Sequence, residues 1–166
     1  MANKYFRSRK MSPIQKVVWQ LLSIRNTYSN VESSAITKKG FVCIMNITPS
    51  ENSDTYKVEI SYEYGFYPKA KLLSHKLEKR NGKYPHHTFG MDENGCARLC
   101  VFHQDSNEWN SNMLISESFI PWVSTWLNTY EFWFITGEWH YDEIINGQEK
   151  TAKDGGKNDT TRKTTN

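Results

Sequence analysis

Three cysteines and five histidines are the residues of this 166-residue chain with the widest chemistry. Cys100 lies in Arg98-Leu99-Cys100-Val101-Phe102, at the far end of a polar stretch that also carries His86 and His87. A thiolate can attack an acyl carbon to give a thioester, and a thioester can pass its acyl group to an amine. That chemistry needs an accessible sulfur, some thiolate and donors for the oxyanion. A nearby histidine could polarise a carbonyl, take the proton of an incoming amine, or shape the loop by hydrogen bonding. The plain alternative for Cys100 is a small hydrophobe in the core, where free cysteine is common. The local sequence leaves both readings open.

The other thiols read differently. Cys43 stands between Val42 and Ile44 in an apolar run and is expected to pack. Cys96 follows Asn94-Gly95, a turn signature, and is expected to be exposed. Four residues separate it from Cys100, which puts both on one side of an extended segment, as a resolving thiol or an incidental surface cysteine. Cys96, Cys100, His103 and one of His86 and His87 could supply four zinc ligands, but C-x3-C-x2-H is not a paired-knuckle spacing and no CxxC accompanies it. No metal is expected. The glycines are scattered without a GxGxxG or P-loop pattern, so no nucleotide cofactor is expected either.

The elements that would carry these residues follow from periodicity. Ser12-Pro13 is a helix start, followed by Ile14, Val17, Val18, Leu21 and Leu22 at helical spacing. Residues 26–34 are polar and predict a loop. The apolar Phe41–Ile47 predicts a strand covered on both faces. Tyr56, Val58, Ile60, Tyr62 and Tyr64 alternate with polar residues, giving a strand with one wet face. A third strand is expected at Lys69–Ser74, a long irregular loop over 75–95 and a short strand over Ala97–Phe102. Phe119, Trp122, Val123, Trp126, Leu127, Tyr130, Trp133 and Phe134 then repeat at helical spacing up to Gly137, a natural cap. Strands run together rather than alternating with helices, so the fold class is α+β with an antiparallel sheet. The Trp-rich helix would pack on it as core.

The composition agrees with one domain. Hydrophobic residues make up only 37% and mean hydropathy is −0.72, but aromatics reach 14% and supply the bulk of a core. Three cysteines cannot all pair, so free thiols in a reducing compartment are expected. No apolar run approaches the ~20 residues of a membrane span, and the basic N-terminus lacks the apolar stretch of a signal peptide. The net charge of +3 sits at the ends: residues 1–13 carry four cations and no anion, and 147–166 carry five cations and three anions. The body between is acidic, which argues against a basic nucleic-acid face.

Together these segments resemble the ubiquitin-conjugating-enzyme (UBC) fold, and more closely its bacterial relatives in short type II CBASS anti-phage operons. Tyr64-Gly65-Phe66-Tyr67-Pro68-Lys69-Ala70-Lys71-Leu72 is similar to the family's GYP-x-V-x-V strand. Pro85-His86-His87-Thr88-Phe89 is similar to its Pro-His-x-aromatic loop, and Leu99-Cys100-Val101-Phe102 to its cysteine motif. Ile120-Pro121-Trp122, Trp126-Leu127, Tyr130-Glu131-x-Trp133 and Thr136-Gly137-Glu138-Trp139 are similar to its closing helix. The resemblance implies an N-terminal helix, an antiparallel β-meander, an active-cysteine segment and a long C-terminal helix. These would form a UBC-like domain over 12–146, between a flexible basic N-terminus (1–11) and a disordered polar tail (147–166).

The resemblance also implies roles. Cys100 would be the acyl-accepting nucleophile, supported by His87, whose spacing to Phe89 fits the motif, with His86 as the alternative. The acyl donor would be the C-terminal residue of a cGAS-like nucleotidyltransferase or a ubiquitin-like protein, and the acceptor a lysine of a target protein. No cofactor, nucleic acid or membrane is implied, and the location would be the bacterial cytoplasm. The His-Pro-Asn string of eukaryotic members is absent, and Asn94 is not assigned the oxyanion. The alternative function is a UBC-fold binding module for the nucleotidyltransferase, without turnover.

Overall fold

The structure, a computed structural model, describes residues 11–141. The expectations for the basic N-terminal residues before these and for the tail from 147 lie outside the described residues. Helix α1 (Pro13–Thr27) precedes six strands and helix α2 (Phe119–Thr136): β1 (Val31–Ile36), β2 (Gly40–Ile47), β3 (Tyr56–Glu63), β4 (Lys69–Leu72), β5 (Thr88–Met91) and β6 (Ala97–Leu99). The strands form one sheet of order β1-β2-β3-β4-β6-β5, with every neighbouring pair antiparallel. The α+β class and the antiparallel sheet read from the sequence are therefore present.

Period two builds the core face of the sheet. Phe41, Cys43, Met45 and Ile47 of β2 oppose Tyr62, Ile60, Val58 and Tyr56 of β3, and Ala70 and Leu72 of β4 continue the layer to Leu99 of β6. All are buried, and they form one cluster with Val123, Trp126, Leu127 and Tyr130 of α2. Apolar pairs directly across antiparallel strands are the unit of sheet stability. Gly40 opens β2 because a Cβ there would lie 1.7 Å from the Tyr62 carbonyl oxygen.

Four expectations need correction. The β2 run is not covered on both faces: Val42, Ile44 and Asn46 stay half-buried. Residues 26–34 are not wholly a loop, because β1 begins at Val31. An edge strand with a wet face needs no apolar alternation, so Val-Glu-Ser-Ser-Ala-Ile gives no period-two signal. The 75–95 stretch likewise contains the whole of β5, an edge strand whose register is broken between Thr88 and Met91. Finally, α1 buries Val17, Gln20, Leu21 and Ile24, while Ile14, Val18 and Leu22 are 48%, 37% and 51% exposed. Gln20 explains that rotation. Its Nε2 donates to the Met113 carbonyl at 2.8 Å and its Oε1 accepts the Ile115 N–H at 2.9 Å, so this face turns inward.

Both helix ends behave as read. Ser12 and Gln15 form a reciprocal capping box before Pro13. Gly137 closes α2 at φ +88°, with its N–H on the Trp133 carbonyl at 2.7 Å.

Candidate active site

Strand β6 ends at Leu99, and Cys100 is the next residue. Leu99 and Val101 are buried at 3% and 2%, whereas Arg98 is exposed and Cys100 half-buried. The alternation of the strand thus runs on past its last ladder bond and puts Cys100 on the side of Arg98. The thiol has its Phe102 carbonyl neighbour at 3.7 Å and is not sealed in the core. The fully buried cysteine is Cys43, whose thiol pKa burial pushes up against the lowering pull of Arg25, so it is packing as expected.

His87 meets Cys100 through the main chain. Its carbonyl accepts the Cys100 N–H at 2.9 Å and the indole Nε1–H of Trp126 at 3.1 Å. The residue adopts a left-handed backbone, φ +58°, which histidine tolerates better than most side chains. Its imidazole stacks on Trp139 at 5.9 Å with the planes 14° apart, and its centroid lies 5.7 Å from His103 and 6.1 Å from Tyr141. His86 is exposed. Of the two histidines, the structure brings His87 to the cysteine.

The loop carrying these residues is held by one face of α2. Trp126, Tyr130 and Phe134 recur at i, i+4, i+8 and therefore line one side of the helix. Trp126 holds His87, the Tyr130 hydroxyl oxygen accepts the Glu78 N–H at 3.0 Å, and the Phe134 carbonyl accepts Arg80 Nε–H at 2.9 Å. Arg80 also donates to the Ile135 carbonyl at 3.3 Å, a cation placed at the negative end of the helix. The segment beyond α2 returns to the cysteine: the buried Tyr141 hydroxyl donates to the Val101 carbonyl at 2.6 Å. At the other end of the sheet, Glu131 accepts from Ser53, Tyr56 and the Asp54 N–H, tying α2 to the β2–β3 turn. Burial, then the bond to Glu131, raises the Tyr56 pKa far above its ordinary value.

The Trp-rich stripe reads from the sequence as core first, and this second use is missed. The available signal was Trp and Tyr at same-face positions, since a buried N–H or O–H needs a partner.

Two candidate groupings do not assemble. Cys96 sits at the start of β6 and Cys100 beyond its end, and four extended residues span ~13 Å, outside the reach of a disulfide. Cys96 is half-buried rather than exposed, in a turn that Asp92 organises by accepting the N–H groups of Asn94 and Cys96 at 3.0 and 2.9 Å. The Cys96 N–H is also the main cause of the lowered Asp92 pKa. Asn94 therefore belongs to the far end of β6 from Cys100. Among the described residues no group of three or more His, Cys, Asp or Glu side chains could hold a metal ion. Two amides of the cysteine segment are hydrogen-bonded within the fold, Cys100 N–H to the His87 carbonyl at 2.9 Å and His103 N–H to Glu108 Oε2 at 3.0 Å.

The architecture is that of an α+β protein with a partly open cysteine at the end of a core strand, set beside a loop clamped to a helix. The family model described as type II CBASS E2 protein matches residues 20–146, and the chain belongs to that family. Membership carries an E2-like role in CBASS antiphage defence. No curated protein matches the chain. Among the described residues no helix is long and apolar enough to cross a membrane.

Proposed function

We propose that the protein is an acyltransferase of the ubiquitin-conjugating type with Cys100 as nucleophile. The Cys100 thiolate attacks an activated acyl group at the C-terminus of a partner, the new C–S bond forms, and the activating group leaves. A lysine amine of a target then attacks the thioester carbonyl, the C–N bond forms, the thiolate departs, and the amine loses a proton. The acyl donor is a cGAS-like nucleotidyltransferase or a ubiquitin-like protein. The observation that carries this reading is the half-buried Cys100 following β6 in a member of the type II CBASS E2 family. A thiol of ordinary pKa is only a few per cent thiolate at pH 7 yet remains nucleophilic, so loading from an activated donor asks little of its surroundings.

His87 is the supporting residue. Its carbonyl fixes the loop against Cys100, and we assign its imidazole, stacked on Trp139, to assisting deprotonation of the amine. For His87→Ala we expect loading to persist and transfer to slow; equal loss of both steps would leave His87 a purely architectural role.

The test is a non-reducing gel of the protein co-expressed with the nucleotidyltransferase of its operon. A thiol-sensitive adduct is expected, converted by Cys100→Ser into a stable oxyester or lost, with the variant still folded. Normal conjugate formation by Cys100→Ser would overturn the assignment of the nucleophile. Co-purification with no adduct would favour a binding module without turnover.

A further inference from the structure

A groove of about 510 Å³ opens where β3, β4 and β6 meet, within the range of built ligand sites. It runs alongside the cysteine segment, since Leu99, Val101 and Phe102 line it. Its polar wall is uneven in charge. Lys69, Lys71 and Arg98 face a single carboxylate, Glu59. Lys71 Nζ lies 3.6 Å from Glu59 and 3.7 Å from Asp92, so its charge is offset. Arg98 spends one of its five N–H donors on the Phe89 carbonyl at 2.8 Å. Lys69 is exposed and lies next to Ala70, the residue paired with Leu99. Lys69 and Arg98 line the groove together with Leu99 and Val101, the chain neighbours of Cys100, while Phe89 and Phe102 offer apolar contact.

Building on the acyl-transfer reading of Cys100, we propose that this groove takes the extended C-terminal segment of the acyl donor and selects a segment rich in carboxylates, delivering its terminal carbonyl to the sulfur. A donor entering along the sheet meets Lys69 and Arg98 on its way to the cysteine segment. Carboxylates upstream of the donor's last residue complement them, and lysines there are repelled.

Two measurements test the groove and the chemistry separately. The first is fluorescence anisotropy of fluorescein-labelled octapeptides ending in a glycine carboxylate, with Asp/Glu-rich, Ser-rich or Lys-rich upstream residues. The acidic peptide is expected to bind tightest, to weaken with added salt, and to lose roughly tenfold in affinity to the double variant Lys69→Glu, Arg98→Glu. Lys69→Glu alone, which leaves the Arg98 bond to Phe89 in place, is expected to lose a few-fold. Equal affinities for the three peptides, or unchanged affinities in the variants, would overturn the proposal.

The second measurement uses the same peptides as thioesters of mercaptoethanesulfonate. The Cys100 thiolate displaces the small thiolate, and intact mass reads the adduct, with Cys100→Ser as control. Loading is expected to follow the acidic preference. An adduct with no charge preference would refute the groove, whereas charge-selective binding with no adduct on any peptide would refute the acyl-transfer reading and leave the groove standing.

Discussion

Trp126 is the residue on which the geometry around Cys100 turns, and Trp126→Phe isolates its contribution. The indole N–H is one of two donors on the His87 carbonyl; the other, Cys100 N–H at 2.9 Å, remains in the variant. The carbonyl is therefore weakened rather than stranded, and the loss is that of one hydrogen bond, about 1 kcal/mol. Trp126 is fully buried and stacks on Tyr130, so the smaller ring also leaves a void. Only part of the indole goes, which places that term at roughly 1–2 kcal/mol, below the 3–5 of a truncation to alanine. The sum, about 2–3 kcal/mol, should lower Tm by roughly 5–10 °C in a domain of this size. The hydrogen-bond share acts locally. Releasing about 1 kcal/mol from the clamp should speed iodoacetamide modification of native Cys100 by up to about fivefold, with Cys96 as the internal reference. Trp133→Phe is the control, because Trp133 is equally part of the core but does not hold His87. It should cost the cavity share alone, roughly 1–2 kcal/mol, and leave Cys100 modification within about twofold. Identical Cys100 rates in the two variants would refute the argument that the helix positions the cysteine through His87.

Gly137→Ala combines a left-handed backbone at φ +88° with a Cβ 2.6 Å from Arg80 Nη1, so we expect a loss of at least ~1–2 kcal/mol in chemical denaturation. Coupling to Arg80→Ala in a double-mutant cycle should recover part of it; strict additivity would refute the contact. Gln20→Leu strands the Ile115 N–H and should cost ~1–3 kcal/mol, read as a drop in Tm; an unchanged melting curve would show that water replaces the side chain. Asp92, held below the ordinary carboxylate pKa chiefly by the Cys96 N–H, favours the folded turn when ionised. That contribution is full above about pH 4 and fades as pH falls through the lowered value. Exchange at the Asn94 and Cys96 amides, corrected for intrinsic rates, should rise there, and Asp92→Asn should show the loosened turn at neutral pH. A flat profile in both proteins would count against it.

Elements with an apolar period and a cap were legible: β3, the start of α1, and α2 up to Gly137 all stand where spacing placed them. The two edge strands were not. β1 and β5 each pair on one side only and keep wet faces, so nothing in Val31–Ile36 or Thr88–Met91 is forced into an alternating pattern. The rotation of α1 was hidden for a related reason. A polar Gln20 faces inward to satisfy two backbone groups of a segment more than ninety residues away, and periodicity counts only apolar residues. At the site, the sequence put forward Cys100 and set His87 ahead of His86 on its spacing to Phe89, but it could not show how His87 meets the cysteine segment. That contact runs through a carbonyl and a left-handed backbone angle, which side-chain identity does not encode.

The same reasoning explains why the candidate site is built around α2 rather than within its own loop. Between β4 and β5 the chain has few apolar anchors, Leu77 and Pro85 being its buried side chains, so it cannot fix its own course by packing. A rigid helix with polar tips on one face can fix it instead. The indole of Trp126, the phenol of Tyr130 and the carbonyls of Phe134 and Ile135 pin the loop at His87, Glu78 and Arg80. Each is a local hydrogen bond, yet each depends on the packing of the helix against the sheet. Stability of the core and placement of Cys100 are thereby coupled, so a core substitution that tilts α2 should disturb the cysteine before it unfolds the domain.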